Sequence, residues 1–310
     1  MAGTTRAPVT VRVPGKVNLH LRVGDRRPDG FHDVVTVLQA VSLYDDVTAA
    51  SGPGTTIEVH GEGAADVPTD GTNLAVRAAR LLAERARVDP AVHLTLHKGI
   101  PVAGGMAGGS ADAAGALVAC DALWRTGFTR TQLGVLAAEL GSDVPFSLAG
   151  GTVLATGRGE VLSPVLTRGS CHWVFALAPL GLSTASVYAE HDRLGPLGHR
   201  PGTVRADGPD GVLVALRQQD CVAVGKSLRN DLQAAALRLR PELRETVDAA
   251  ADLGALGAVV SGSGPTVALL ARDHAAAVEL AGELVARGRC ATVRQASGPV
   301  HGARVHEEVS

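Results

Sequence analysis

The chain has 310 residues, of which 45% are apolar, and its 29 basic and 31 acidic residues give a formal net charge of -2 at pH 7. This near balance offers no positive field that would hold nucleic acid or an anionic membrane surface, so we expect neither as a partner. The length suits two domains of ordinary size, which we place at residues 1–165 and 166–310.

The cysteines and the first residues bear on the cellular compartment. The four cysteines are far apart and form no Cys-x-x-Cys pair, which argues against a zinc knuckle or a disulfide framework. The opening stretch MAGTTRAPVT lacks the apolar core of a signal peptide, and the longest nearly uncharged stretch is too rich in glycine for a membrane helix. We therefore expect a cytoplasmic protein with reduced cysteines.

The N-terminal part reads as strands followed by one helix. Apolar and polar side chains alternate from Val17 onward, which predicts a strand over 10–24 with one buried side. The charged turn GDRRPDG joins it to a second strand over 34–41, and the pair predicts a hairpin. The elements that follow are a short strand over 56–60, a helix capped by Asn73 that runs to Arg87, and a half-buried strand over 92–97.

A glycine-rich loop follows that strand and leads into an alanine-rich helix. Two Gly-Gly pairs flank Met106 and Ala107, and Ser110 is predicted to cap the helix, with Asp112 in its first turn. Free amides at a helix N-terminus bind phosphate, and the spacing matches neither the Gly-x-x-x-x-Gly-Lys loop nor the Gly-x-Gly-x-x-Gly loop. The pattern favours a third kind of phosphate cradle, and the alternative is a flexible loop that Ser110 caps.

Strands and helices alternate through the rest of the chain, which predicts an α/β or α+β sandwich. Residues 194–211, rich in glycine and proline, are predicted to form a loop or mobile lid. Predicted helices lie at 131–140, 212–224, 231–239, 242–253 and 274–287, and two more begin at residues 142–145 and after Ser183. Predicted strands lie at 151–155, 173–178, 258–261, 267–270 and 291–295.

Four positions could carry chemistry. Lys16, near the start of a strand, is either a solvated lysine or a fixed positive charge beside a reacting group. Asp143 either interacts with the N-terminus of a short helix or acts as a general base that a nearby ammonium keeps ionised. The turn 262–265 is either a plain hairpin turn or a backbone wall that faces a ligand. Phe31 and His32 would pair an aromatic face with a hydrogen-bonding group.

Five segments together resemble the GHMP kinase superfamily across almost the entire chain: PGKVNLHLRVGDRRPDGFH, IPVAGGMAGGSADAA, GSDVPFSLAGGTVLATGRGE, GLSTASVY and VVSGSGPTVALL. The turn GDRRPDGFH is similar to the branch that acts on 4-diphosphocytidyl-2-C-methyl-D-erythritol. The resemblance implies an α+β fold with a ribosomal-protein-like N-terminal domain and a ferredoxin-like C-terminal domain. It also implies ATP-dependent phosphorylation of the 2-hydroxyl of that compound, on the non-mevalonate route to isoprenoid precursors.

The resemblance assigns a role to individual residues as well. Lys16 and Asp143 match the catalytic pair, with Asp143 as the base. ATP, accompanied by Mg²⁺ for which no protein ligand is assigned, would lie on the segment Pro101, Val102, Ala103, Gly104, Gly105, Met106, Ala107, Gly108, Gly109, Ser110 and Ala111. The substrate residues would be Phe31 and Tyr188, which sandwich the cytosine ring, His32, which reads its polar edge, and Asn18 and Thr184 close by.

Three residues depart from the family pattern, and two other functions stay open. Ala107 stands where many relatives have glycine, Ala111 where many have a second serine, and Phe31 where tyrosine is more usual. The alternatives are a GHMP kinase for another alcohol, such as homoserine or mevalonate, and a non-catalytic sensor of a nucleotide or sugar phosphate. The sequence leaves monomer and homodimer equally open.

Overall fold

The computed structural model describes residues 6–102, 104–179, 181–195, 208–290 and 292–306. The elements of the first half are β1 (Val9–Arg26), β2 (His32–Ala50), β3 (Thr55–Gly61), a 3₁₀ turn (Ala64–Asp66), α1 (Leu74–Ala86), β4 (Val92–Lys98), α2 (Gly108–Trp124), α3 (Arg130–Leu140), α4 (Val144–Ala149), β5 (Thr152–Thr156) and β6 (Val161–Pro164).

The second half returns to the first sheet twice while building a sheet of its own. Its elements are β7 (Cys171–Leu177), α5 (Thr184–Leu194), α6 (Asp210–Gln218), α7 (Cys221–Lys226), β8 (Arg229–Asn230), α8 (Gln233–Leu239), α9 (Leu243–Ala249), β9 (Gly257–Val260), β10 (Val267–Ala271), α10 (His274–Ala286), β11 (Thr292–Gly298) and β12 (Arg304–Val305).

The described strands form two sheets. The larger has the order β12-β1-β2-β4-β3, with β5 and β6 added beside β2 and with β8 parallel to β1. The smaller is antiparallel with the order β11-β7-β10-β9. Helices pack against both sheets, so the predicted α+β class is confirmed.

The predicted hairpin of β1 and β2 is present, but the prediction that β1 has one buried side is wrong. Asn18 and His20 are buried along with the apolar residues that alternate with them. The pairing with β2 shifts register between Asn18 and His20, and the two sides of this shift belong to different cores. Leu19 packs in the core that α2 covers, whereas Leu21 packs among residues of the smaller sheet, because β1 lies between the two layers.

The edge of β1 that faces away from β2 is covered in three places. β12 pairs with Val11 and Arg12 near one end, and β8 pairs with His20 and Leu21 further along. Between them, the backbone N–H of Lys16 donates to the carbonyl of Met106 in the glycine loop, at 3.2 Å. The second half of the chain therefore completes the strand that carries Lys16.

Local signals placed most helices correctly and failed where backbone geometry intervened. Asn73 caps α1 by accepting the N–H of Ala75, as predicted. The single helix predicted over 212–224 is two helices, because Gln219 has a left-handed backbone conformation (φ 59°) that ends α6. Strand β2 extends well beyond the predicted 34–41, since it goes on to pair with β4.

Some features concern only part of the chain. Most of the predicted loop or lid over 194–211 falls on residues 196–207, and Ala291 begins a predicted strand; these residues lie outside the described ranges. Within those ranges no helix is long and apolar enough to cross a membrane. Cys120, Cys171, Cys221 and Cys290 are all free thiols.

Candidate active site

Two adjoining cavities lie where the larger sheet meets the second half of the chain. The first, of about 400 Å³, is bounded by β1, the glycine loop and the turn after β9, and we call it the loop cavity. The second, of about 660 Å³, is bounded by the β1–β2 turn and by α5, and we call it the α5 cavity. Both cavities are lined by Val34, Asp143, Arg158, Thr184 and Tyr188.

The helix α2 that follows the glycine loop begins three residues earlier than predicted. Helix α2 begins at Gly108, and its N-cap is Ala107, which has a left-handed backbone (φ 62°, ψ 32°) and no side-chain capping bond. The prediction that Ser110 caps the helix is therefore wrong, because this left-handed residue already turns the chain into the helix. Ser110 lies inside the first turn and lines the α5 cavity, and Asp112 is buried.

Most of the predicted ATP segment is placed around the loop cavity. The first amides of α2 have no partner within the helix, so they are free to meet an anion. Ala111 is buried in α2, and Ala103 lies outside the described residues. The segment residues that line the loop cavity are Pro101, Val102, Gly104, Gly105, Met106, Ala107, Gly108 and Gly109.

Two glycines allow the loop and the turn after β9 to touch through their backbones. A Cβ on Gly105 (φ 71°) would lie 2.3 Å from the carbonyl oxygen of Ser261. A Cβ on Gly262 (φ 58°) would lie 2.8 Å from Nζ of Lys16. Ser261 Oγ also donates to the carbonyl of Gly105 at 3.3 Å. The turn joins two antiparallel strands, which confirms the hairpin, and it also lines the loop cavity, so its contact with a ligand stays a prediction.

Lys16 is buried at the floor of the loop cavity. Its Nζ donates to Asn18 Oδ1 at 2.5 Å, and Asn18 Nδ2 donates to Thr36 Oγ1 at 3.0 Å. Burial lowers the pKa of Lys16, and the negative charge of Asp143 opposes that shift. The ammonium is held in a fixed place by an uncharged partner, which leaves its charge available to a ligand.

Asp143 occupies the N-cap position of α4 but does not cap it with its side chain. The carboxylate lines both cavities instead. Burial raises the pKa of Tyr188 to about 12, and the charge of Asp143 adds to the shift. A negative group at the junction of two cavities, with a buried lysine nearby, has the setting of a general base.

A buried charge cluster beneath the glycine loop was not predicted. Lys98 Nζ donates to Asp45 Oδ2 at 2.5 Å and to Asp112 Oδ2 at 2.6 Å. Burial raises the pKa of Asp112 to about 7, with the charge of Asp45 adding to the shift and Lys98 opposing it. Burial would lower the pKa of Lys98, but Asp112 and Asp45 outweigh it, so that pKa is raised.

The sequence did contain a signal for this cluster, namely a carboxylate inside an otherwise apolar helix. Asp112 Oδ1 is buried, and none of the described residues gives it a hydrogen bond. Lys98 and Asp112 both line the loop cavity. One positive charge serves two carboxylates here, so the site favours a neutral Asp112.

The predicted substrate residues gather around the α5 cavity, and Asn18 lies beside Lys16 in the loop cavity. His32 is buried and stacks on Tyr188, with ring centroids 5.1 Å apart and planes at 30°. Phe31 is 52% exposed, and the guanidinium carbon of Arg158 lies 4.9 Å from the centre of its ring. Thr184 Oγ1 lies 2.9 Å from Ser263 Oγ.

Two charged residues of the α5 cavity were also missed. Arg158 follows β5 in the glycine-flanked turn GRG, and it is the one cation among the five residues that both cavities share. Asp192 lies four residues after Tyr188 and eight after Thr184, so these three share one face of α5. That spacing is the signal that could have identified Asp192.

The donors available suit ATP better than they suit a protein-bound metal ion. The glycine cradle and the open amides of α2 match a polyphosphate. The described part of the chain contains no group of three or more His, Cys, Asp or Glu side chains placed to hold a metal ion. Mg²⁺ in nucleotide sites is bound mainly by phosphate oxygens and water, with one or two carboxylates, so such a cluster is not required.

Two family models match the chain: the GHMP kinases N terminal domain over residues 73–151 and the GHMP kinases C terminal domain over residues 212–290. A 4-diphosphocytidyl-2-C-methyl-D-erythritol kinase from Mycolicibacterium gilvum (strain PYR-GCK) is 56% identical over 297 residues, covering 96% of this chain and 92% of that protein. The protein of the same name from Nocardia farcinica (strain IFM 10152) is 55% identical over 305 residues, 98% of each chain.

Solved structures give the same picture. A crystal structure of 4-(cytidine 5'-diphospho)-2C-methyl-D-erythritol kinase is 32% identical and has a TM-score of 0.73, over 93% of this chain and 98% of that one. A homoserine kinase from Cytophaga hutchinsonii has a TM-score of 0.75 over 99% of both chains at 17% identity, and that likeness concerns the fold alone.

Proposed function

Because the chain belongs to the GHMP kinase family, and within it to the 4-diphosphocytidyl-2-C-methyl-D-erythritol kinases, we propose that it transfers the γ-phosphoryl group of ATP to the 2-hydroxyl of 4-diphosphocytidyl-2-C-methyl-D-erythritol. The products are the 2-phosphate and ADP, and the reaction is a step of the methylerythritol phosphate route to isoprenoid precursors. The fold is the two-domain GHMP kinase fold, with a ribosomal-protein-like domain first and a ferredoxin-like domain second. We keep the boundary between them at 165/166.

The observation that carries this proposal is the meeting of Lys16 and Asp143 beside a glycine cradle. In the proposed step Asp143 accepts the proton of the 2-hydroxyl, and that oxygen attacks the γ-phosphorus of ATP. The bond from this phosphorus to the bridging oxygen breaks, and ADP leaves. Direct in-line transfer of this kind depends on positioning and charge neutralisation, and it needs no covalent enzyme intermediate.

Lys16 has two tasks in the proposed mechanism. Its ammonium keeps Asp143 ionised, and it offsets negative charge on the group in transfer. The hydrogen bond from its Nζ to Asn18 fixes the direction of the side chain. Since burial lowers the pKa of Lys16, the charged form is lost at a lower pH than for a free lysine.

The phosphates of ATP would lie along the segment 101–111, against the open amides of α2. Mg²⁺, when bound with ATP, supplies positive charge that neutralises the phosphate oxygens. Gly105 and Gly262 keep the loop and the opposite turn close enough to enclose this region. Ser110, in the first turn of α2, is the residue of the segment that faces the α5 cavity.

The two cavities match the two ends of the substrate. The cytosine ring would lie in the α5 cavity between Phe31 and Tyr188, with His32 at its polar edge and Thr184 nearby. The methylerythritol would reach Asn18 and Asp143 in the loop cavity. The diphosphate between these ends must then cross the junction, where Arg158 is the cation that lines both cavities, so Arg158 is proposed to neutralise it.

A cytoplasmic location is consistent with the use of ATP and with four free cysteines.

An ADP-release assay tests the proposed function. Purified protein receives ATP and Mg²⁺ with 4-diphosphocytidyl-2-C-methyl-D-erythritol, homoserine or mevalonate as the acceptor. Turnover on the first acceptor alone is expected. Turnover on homoserine or mevalonate instead would replace the substrate and remove the cytosine roles of Phe31, His32 and Tyr188. ATP binding without turnover on any acceptor would favour the sensor.

A further inference from the structure

Asp192 was assigned no role from the sequence, yet it directly contacts His32, the residue proposed to bind the polar edge of cytosine. Its Oδ1 lies 2.8 Å from Nε2 of His32, and the His32 side chain is 6% exposed against 39% for Asp192. The two residues are 160 positions apart in sequence, so α5 supplies one and β2 the other. Both residues line the α5 cavity.

The chemistry of this contact fixes where His32 carries its hydrogen. A carboxylate only accepts hydrogen bonds, so the ring nitrogen that faces it must be the donor. In a neutral imidazole the other nitrogen then has a lone pair and no hydrogen. Among the described residues, Nδ1 of His32 has no hydrogen-bond partner. With the ring neutral, His32 offers the cavity an acceptor at Nδ1 and not a donor.

The ring is also held in orientation. It stacks on Tyr188, whose place on α5 is one turn before Asp192. Two residues on one face of α5 therefore hold the imidazole: Tyr188 stacks on the ring, and Asp192 contacts Nε2. Both contacts restrict the ring, so little further ordering of His32 is needed when a nucleobase binds.

We propose that Asp192 is a positioning residue that holds His32 in the Nε2–H tautomer and thereby makes the site select cytosine over uracil. This inference rests on the proposed function. The 4-amino group is the one donor on the pairing edge of cytosine, so an acceptor nitrogen can meet only that group. In the same pose uracil presents its 4-carbonyl oxygen, and two acceptors then face each other.

The first test compares specificity between variants. The wild-type kcat/KM is measured for the cytidylyl substrate and for its uridylyl analogue, and then for Asp192→Ala. The variant is expected to lose about tenfold of the cytidine preference, because His32 becomes free to take the other tautomer and donate to uracil. The control is Glu190→Gln, on the same helix but paired with Arg193 and Arg238 outside both cavities. The control should keep the wild-type ratio.

The second test reads the tautomer directly. Long-range ¹H–¹⁵N correlation spectra of ¹⁵N-histidine-labelled protein distinguish a protonated ring nitrogen from a bare one, and His32→Gln identifies the signals of His32. Wild type should show Nε2–H, and Asp192→Ala should show a mixture or the opposite tautomer. An Nδ1–H signal in wild type, or an unchanged cytidine preference in Asp192→Ala, would overturn the proposal. Absence of turnover by wild type would count against the proposed function, while the spectrum would still decide the tautomer.

Discussion

The two cavities of this enzyme differ in the groups that form their walls. The loop cavity is enclosed by backbone and buried charge: Gly105 and Gly262 touch neighbouring atoms, and Lys16, Lys98 and Asp112 are buried. The α5 cavity is built from side chains on a turn and on one helical face, and one of them, Phe31, is half exposed. Changes in the first should therefore alter catalysis and folding, and changes in the second should alter affinity and specificity.

The largest expected effect is the loss of the base at the junction. Asp143→Asn should lower kcat by about 10³-fold, within the range for removal of a general base, and should leave ATP affinity nearly unchanged. The side chain does not cap α4, so the melting temperature should stay close to that of wild type. Steady-state kinetics, nucleotide titration and thermal unfolding together check this. A variant that retains a tenth or more of the activity would remove Asp143 from the chemistry.

The second prediction concerns the backbone wall of the loop cavity. Gly262→Ala should lower kcat by about 10²-fold, because the new Cβ would displace Nζ of Lys16, and small misplacements at this point are costly. The left-handed backbone also costs about 1–2 kcal/mol for alanine. The matched control is Gly282→Ala, whose Cβ would meet open space on α10 and should slightly stabilise the fold. Equal behaviour of the two variants would mean that the wall does not constrain Lys16.

Substitution of Arg158 tests whether changes in the α5 cavity alter substrate affinity more than catalysis. Arg158→Ala should raise KM for the cytidylyl substrate about tenfold and change kcat little, because a charge-assisted contact to the diphosphate is lost. Arg158→Lys should recover part of the affinity, since it restores the charge without the planar donor set. Arg193→Ala, an exposed arginine paired with Glu190, is the control. A fall in kcat with unchanged KM would place Arg158 in the transition state instead.

The buried cluster beneath the glycine loop predicts a pH-dependent stability. The folded pKa of Asp112, about 7, lies above the unfolded value of about 3.9, so folding opposes its ionisation. The wild-type protein therefore loses stability from this group as pH rises from about 4 to 7, and loses no more above that. Asp112→Asn cannot ionise and should gain in melting temperature relative to wild type between pH 5 and pH 8. A constant difference across that range would mean that Asp112 ionises freely.

The smallest effect is expected at the start of α2. Ala107→Gly should stabilise the fold by about 1 kcal/mol, because glycine adopts the left-handed conformation of the loop without steric cost. Ala111→Gly, only four residues further on and buried inside the helix, should destabilise by a similar amount. Denaturant unfolding of both variants measures these two changes in the free energy of unfolding. Destabilisation by both would mean that Ala107 is not held in this conformation.

Features that depend on neighbouring residues could be predicted from the sequence, whereas features that depend on distant contacts could not. The glycine loop, the Asn73 cap and the hairpin of β1 and β2 depend on neighbouring residues, and their patterns gave them correctly. The start of α2 was misplaced because Ala107 takes a conformation that alanine seldom adopts. The burial of both faces of β1 could not be read from alternation, because the second face is covered by residues far along the chain.

The site residues that were missed depend on distant partners. Lys98 meets Asp45 across 53 positions, and His32 meets Asp192 across 160, so no local spacing connects them. The sequence shows Arg158 in the turn GRG, but only the structure shows that it lines both cavities. Lys16 and Asp143 were assigned by resemblance, and their roles stay predictions for kinetics to test.

The two short strands that cover the free edge of β1 have a consequence for synthesis of the protein. β1 leaves the ribosome early, whereas β8 and β12 come from the second half of the chain, β12 at residues 304–305. During translation the strand that carries Lys16 therefore waits with one side unpaired, a state that invites pairing with other chains. The larger sheet, which carries the catalytic lysine, is therefore complete only after residues 304–305 have been synthesised.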